Sequence, residues 1–356
     1  MATNKRLIKS NDEGGGGAAS FNTVLYTGNG TTLPITGVGF QPDLVWLKRR
    51  DAGYPYTHKL IDSVRGATIR ISSEETGPDI TEINGLKSFD SDGFTLGGDG
   101  GYNINGAANV AWCWKAGGAA VTNTDGTITS QVSANTEAGF SIVSYTGNGS
   151  DYPTGASIGH GLSSQPKIII VKDRTNTGTS WAVLPVAVSD STAQTLLLDY
   201  DFALSSSGSA NAFNQQLPTS SVFYVGQSGG GARTNGASSN YIAYCFAEVA
   251  GFSKFGSYVG NRPNGVIVNT VFEPAFVLVK KTDSIDGNTD WILWDNKRDT
   301  SNPIDSKLSP NTSSAEFTSS TMGVDFNTNG FEIKGTDPSI NLAGSNYIYM
   351  AFANQF

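Results

Sequence analysis

One stretch of this chain comes back. Tyr26-Thr27-Gly28-Asn29-Gly30 recurs letter for letter at Tyr145-Thr146-Gly147-Asn148-Gly149, and in eroded form at Tyr258-Val259-Gly260-Asn261. After each copy a proline opens an apolar run that a lysine closes: Pro42–Lys48, Pro166–Lys172 and Pro274–Lys280. Each unit then ends in a third shared stretch, Val110–Trp114, Ile242–Phe246 and Ile348–Phe352. Three landmarks in one order, three times, define an internal repeat of roughly 105 to 120 residues. A unit of that size can bury a core of its own. The chain therefore divides into an N-terminal arm (1–20), repeat one (21–118), an ordered connecting strand (119–138), repeat two (139–250) and repeat three (251–356).

Composition decides the class. Charged residues are only 15% of the chain, and 43 of its 356 residues are glycine. Apolar side chains still recur in compact runs, so the chain is neither disordered nor helical in pattern; Ser189–Leu198 alone is ambiguous. The expected fold is all-β: three tandem antiparallel β-sandwich domains, jelly-roll or lectin-like, behind a short arm. A formal charge of −8 argues against nucleic acid, which wants a basic stripe. No run of 18 apolar residues exists to insert in a membrane, and the opening MATNKRLIKSNDEGGGG has no signal-peptide core. Such a surface-type composition without an export signal fits a protein released by lysis. Cys113 and Cys245 hold equivalent mid-strand positions in two repeats and read as buried free thiols.

The closing strand has two unlike faces. Val110, Trp112 and Trp114 alternate with Ala111 and Cys113; Ile242, Tyr244 and Phe246 alternate with Ala243, Cys245 and Ala247. Large residues on one side and small on the other predict a core-filling face backed by a closely approaching layer. Repeat three keeps the large face, but Tyr349 breaks the small one and predicts a more exposed surface. Lys48-Arg49-Arg50-Asp51 reads as the central strand emerging into solvent. With essentially no linker at Ala250-Gly251-Phe252, the repeats are expected to form a semi-rigid rod.

No residue set announces a reaction, a cofactor or a metal. His58 and His160 stand at non-equivalent places without the partners a triad or metal site needs. Asp90-Ser91-Asp92-Gly93 has the alternating oxygens of a calcium loop, but repeat three has Asn327 and Asn329 there, which suits a turn. Asp62 and Arg65 match Asp295 and Arg298, and repeat two has Pro185 and Val188 instead, so these read as structural ion pairs. Glu74, Glu75, Asp79 and Glu82 read as a solvated loop. The better functional candidates are aromatics after the central strands: Tyr54, Tyr56, with His58 beside them, Trp181, Trp291 and Trp294. Flat rings beside polar groups are what a sugar surface needs; the alternative is that the tryptophans begin the next strand and sit in the core.

The succession of Tyr26–Gly30, Gly39–Lys48, His58–Gly66, Ser88–Phe94 and Val110–Lys115, with Gly159-His160-Gly161-Leu162 and Asn123–Asn135 in and before repeat two, resembles a repeated domain of tailed-bacteriophage virion proteins, notably of marine phages. The resemblance covers nearly everything after residue 20. It implies a virion structural component, a tail-fibre or adhesin subunit for host attachment. Such a subunit is expected to be a homotrimer that contacts host polysaccharide through the loop aromatics and docks on other virion proteins through residues 1–20. The alternative placement is a head fibre or capsid decoration held by that arm. The family carries no established reaction, so no catalytic residue is transferred.

Overall fold

The computed structural model describes residues 19–354 apart from 52–55, 190–192, 205–209, 228–233 and 288. Of the arm, only Ala19 and Ser20 fall within the described residues, so its anchoring role lies outside them. The fold is all-β, as expected. Each repeat supplies the same six strands. Repeat one has β1 (Phe21–Thr27), β2 (Leu33–Ile35), β3 (Leu44–Arg49), β4 (Lys59–Asp62), β5 (Gly93–Leu96) and β6 (Ala108–Trp114). Repeat two has β7 (Phe140–Thr146), β8 (Ala156–Gly159), β9 (Pro166–Asp173), β10 (Ala182–Pro185), β11 (Val222–Val225) and β12 (Asn240–Ala247). Repeat three has β13 (Ser253–Val259), β14 (Val266–Asn269), β15 (Pro274–Lys281), β16 (Ile292–Asp295), β17 (Gly330–Ile333) and β18 (Asn346–Ala353).

The large sheets share one order: β1-β6-β3-β4, β7-β12-β9-β10 and β13-β18-β15-β16, all antiparallel. First strand pairs with last, and second with penultimate in a smaller facing sheet: β2 with β5, β8 with β11, β14 with β17. The connecting segment forms strands Val121–Asn123 and Ser130–Asn135, which extend the sheet of repeat two beyond β7. Leu196–Leu197, in the ambiguous stretch, is a short strand against β10.

The repeat motif has a structural job. Tyr26, Tyr145 and Tyr258 each donate their hydroxyl to a backbone carbonyl, of Tyr102, Thr234 and Ile340, at 2.7 to 2.8 Å. The backbone N–H of Asn29, Asn148 and Asn261 donates to the side chains of Asn103, Asn235 and Asn341, three fully buried asparagines that form a fourth landmark. Gly28, Gly147 and Gly260 lie so close to the facing carbonyls that a Cβ would collide with them. The motif clamps the first strand onto the turn before the last.

The two faces of the closing strands go to two different cores. Ala111 and Cys113, Ala243 and Cys245, and Tyr349 and Ala351 each face a private core between their own repeat's large and small sheets. Burial pushes both cysteine thiols well above their ordinary range. Tyr349 is only 5% exposed, because Gly256, directly across the ladder, opens the space its ring fills. The expected exposed face is therefore corrected. A swap of volume keeps it closed, with tyrosine opposite glycine where repeats one and two set Val24 opposite Ala111 and Val143 opposite Ala243.

The large faces of all three repeats meet in one common core. Trp114, Phe246 and Phe352 stand 6.3, 5.8 and 5.9 Å apart, one ring from each repeat in a near-equilateral triangle. Phe21 of repeat one packs against Phe276 and Phe352 of repeat three, closing the arrangement into a ring. The rod is thus replaced by a three-sided prism. A short linker between units with an apolar sheet face lets those faces turn toward one another, and burial of some of the chain's largest side chains holds them there.

Candidate functional site

Ring closure creates three junctions, built on one plan. Each repeat lays donors on the repeat before it in a constant direction around the axis. His58, Trp181 and Trp291 are equivalent, and their ring N–H groups donate to the carbonyls of Ser309, Ser72 and Leu197 at 3.1, 2.8 and 2.9 Å. His58 Nδ1 accepts from Trp46 Nε1 at 3.0 Å, which fixes the neutral tautomer with its proton on Nε2. Burial holds the pKa of His58 well below the ordinary value. Lys48, Lys172 and Lys280 close the three central runs, and each reaches a carbonyl of the neighbouring repeat, that of Ser313, Thr76 or Asp201. All three ammonium groups are buried, and burial pulls each down to about 8. The emergence of the central strand at Lys48 is corrected: its side chain lies inside the first–third junction.

Two junctions carry an ionic network. At the first–second junction Asp62 pairs with Arg65 at 2.5 Å, Tyr244 of repeat two donates to Asp62 at 2.8 Å, and Asp79 bridges Arg65 and Arg174 at 3.0 and 2.7 Å. At the first–third junction Asp295 pairs with Arg298 at 2.6 Å, Trp112 donates to Asp295 at 3.0 Å, and Glu316 bridges Arg298 and Arg50 at 3.0 and 2.8 Å. The loop of Glu74, Glu75, Asp79 and Glu82 is therefore not simply solvated. Asp79 is a junction residue, Glu75 and Glu82 pair with Arg70, and burial pushes Glu74 up to about 7. Glu74 accepts the backbone N–H of His58 at 2.9 Å, as Asp199 accepts that of Trp181 at 2.8 Å.

Among the described residues the second–third junction lacks that network. The bond Leu204 N to Thr282 O, 2.8 Å, corresponds to Asp79 N to Arg174 O and Glu316 N to Arg50 O, which fixes the equivalences. Pro185, Val188, Leu204, Thr282 and Met350 then stand where the first–second junction has Asp62, Arg65, Asp79, Arg174 and Tyr244. An apolar seam of Ile168, Pro185 and Ala187 against Phe255 and Ile348 replaces part of it. Where the bridging arginine is missing, an open cleft of about 530 Å³ lies between Val188, Ala203 and Leu204 on one side and Thr282, Asp283, Ser284 and Asn346 on the other. Beside it Tyr200 and Phe202, 41% and 48% exposed, stack at 5.1 Å and 12°. Their counterparts are Glu75 and Gly77 in repeat one and Thr312 and Ser314 in repeat three, so this ring pair is peculiar to repeat two.

The aromatic candidates read from the sequence lie elsewhere. His58, Trp181, Trp291 and Trp294 are buried, the first three in the junctions and Trp294 in the private core of repeat three, where no ligand reaches them. Tyr54 lies outside the described residues. Tyr56 is half-buried, with the Arg49 guanidinium 4.8 Å over its ring. Both ion pairs, Asp62 with Arg65 and Asp295 with Arg298, form as expected. Asp92 accepts the N–H groups of Gly37 and Gly39 at 3.0 and 2.7 Å, the work of a turn residue, and among the described residues no cluster of metal-ligating side chains occurs. Sequence reasoning missed Tyr200 and Phe202 because repeat two's loop there aligns with nothing aromatic. The signal was available in the loss of the ion pair at Pro185 and Val188.

No curated protein and no solved structure matches the chain. A family model described as a domain of unknown function, DUF7483, matches residues 17–355, spanning all three repeats in a single unit. The chain belongs to that family.

Proposed function

We propose that this chain is a virion structural protein of a tailed bacteriophage, an attachment subunit that binds host-surface glycan in the cleft between repeats two and three. The observation that carries the reading is the exposed Tyr200–Phe202 pair beside a cleft lined by Thr282, Asp283, Ser284 and Asn346, at the one junction released from its ionic network. Stacked rings offer a flat apolar face, and the hydroxyl, carboxylate and amide groups supply the bonds that sugar hydroxyls require. The similarity of the repeats to phage virion domains supports the setting. The expected homotrimer follows from the likeness to tail fibres, and the cleft is formed within one chain, so the reading does not depend on three chains.

The test is an array of bacterial surface glycans probed with the intact protein and with a Tyr200→Ala/Phe202→Ala variant. Binding by the wild type that the variant loses, at an unchanged unfolding midpoint, is the expected result. Equal binding by both moves the site away from the cleft. No binding by either favours the placement as a capsid or tail decoration docked through the arm.

A further inference from the structure

The small sheet of each repeat ends in the strand β2, β8 or β14, and the three free edges are treated differently. Register aligns Pro34, Ser157 and Ile267 at the middle of that strand, opposite Thr95, Tyr224 and Glu332. In repeat one Pro34 has no N–H to offer, the usual guard of an edge. In repeat two the connecting segment sits on the edge. Ile128 forms a parallel bridge to Ile158 and donates its N–H to Ser157 O at 3.1 Å, and Thr127 donates to Ser157 Oγ at 3.0 Å. In repeat three neither device is present. Among the described residues nothing pairs with the outer edge of β14, and Ile267 is 80% exposed. Val271, two residues beyond the strand, is 66% exposed and held at φ 62°, where the sister repeats have Gly39 and Gly161. A β-branched residue in that region is strained, and the Val271 N–H is held there by Asn329 O at 3.1 Å and Asn269 Oδ1 at 2.9 Å. A groove of about 390 Å³ runs beside the edge, lined by Val259, Gly260, Asn261, Gly265, Val266 and Ile267.

We propose that β14 is a docking edge for an extended segment of a separate polypeptide, which adds as a parallel strand the way Thr127-Ile128 adds to β8. The occupant follows from the sister repeat: an apolar β-branched residue flanked by hydroxyl residues. Repeat two receives such a segment from the residues just before it. Repeat two runs directly into repeat three at Ala250–Phe252, so no such segment immediately precedes repeat three, and the strand is assigned to a separate chain. Backbone bonds to the edge supply affinity, and the groove selects the alternate side chains.

A labelled peptide with the sequence of residues 123–130, Asn-Thr-Asp-Gly-Thr-Ile-Thr-Ser, is titrated against the whole protein by fluorescence anisotropy. Saturable binding is expected. Ile267→Pro, which installs the guard of repeat one at an exposed position, removes the N–H that at Ser157 donates to Thr127 Oγ1 at 2.9 Å, together with the Ile267 side-chain contacts, and should weaken binding about tenfold. A peptide with aspartate in place of its isoleucine should fail to bind, and the unfolding midpoint of the variant should match the wild type. Absence of binding by the wild type, or equal binding by wild type and Ile267→Pro, overturns the proposal. So does a concentration-dependent dimer in light scattering that Ile267→Pro abolishes, because the occupant would then be a second copy.

Discussion

The first–second and second–third junctions have one geometry and opposite chemistry. In the first, Asp62, Arg65, Asp79, Arg174 and Tyr244 form a buried network; in the second, proline, valine, leucine, threonine and methionine hold the same places. Both keep the tryptophan-to-carbonyl bond and the buried lysine. The ring therefore does not need its ions to close. Burying an ion pair gains little over apolar packing of similar volume, whereas half of one is costly. The five positions accordingly differ as a set. Once the bridging arginine is gone, the space it occupies is open to a ligand, and the cleft lies there.

The largest effect should come from breaking the ring itself. A chain ending at residue 250 leaves Phe21, Trp112, Trp114 and Phe246 without Phe276 and Phe352. It should aggregate or unfold, while the full chain melts in a single calorimetric transition. Independent melting of a soluble two-repeat fragment would restore the picture of separate domains.

Next in size, Asp62→Ala should destabilise by about 3 to 5 kcal/mol, because Arg65 and the Tyr244 hydroxyl lose a buried partner. Replacing Asp62, Arg65, Asp79, Arg174 and Tyr244 together by Pro, Val, Leu, Thr and Met should bring stability back to within about 1 kcal/mol of wild type. Denaturant midpoints measure both. A five-fold variant as weak as Asp62→Ala would mean that the ions, not the packing, hold that junction.

A smaller effect separates the first–third junction, the only one with histidine in the donor position. Burial holds His58 well below its ordinary pKa and His160 at about 4. The unfolded chain therefore takes up these protons first as pH falls. The histidine contribution is fully present above about 6.5 and declines below it, by at most about 1.4 kcal/mol per pH unit for each group. His58→Trp, which installs the residue of the other two junctions, should flatten that decline while leaving the share of His160. An unchanged slope would remove His58 as the acid-sensitive group.

The smallest change in stability should come from Thr282→Arg, which puts a guanidinium at the place of Arg174 and Arg50. Leu204 stands where Asp79 and Glu316 supply the carboxylate, so the new guanidinium gains no bridging partner. The open cleft leaves it room beside water, and the midpoint should barely move. Glycan binding should be lost as the arginine fills the cleft.

The sequence by itself determined the repeat, its register and the strand character of each landmark, because period-two alternation and a recurring turn motif are local properties of the chain. It also marked Asp62–Arg65 and Asp295–Arg298 as structural, since a pair present in two copies and missing in the third can be read without coordinates. Only the tertiary structure decided that the large faces of β6, β12 and β18 point at one another. A face of Trp112 and Trp114 looks the same in sequence whether it covers a private core or a shared one. The same ambiguity left Trp181 and Trp291 open between a ligand surface and a core, and the structure puts both in the junctions. Alternation along a strand tells which residues share a side. What lies on that side is set by long-range packing, and here the partner is another repeat more than a hundred residues away.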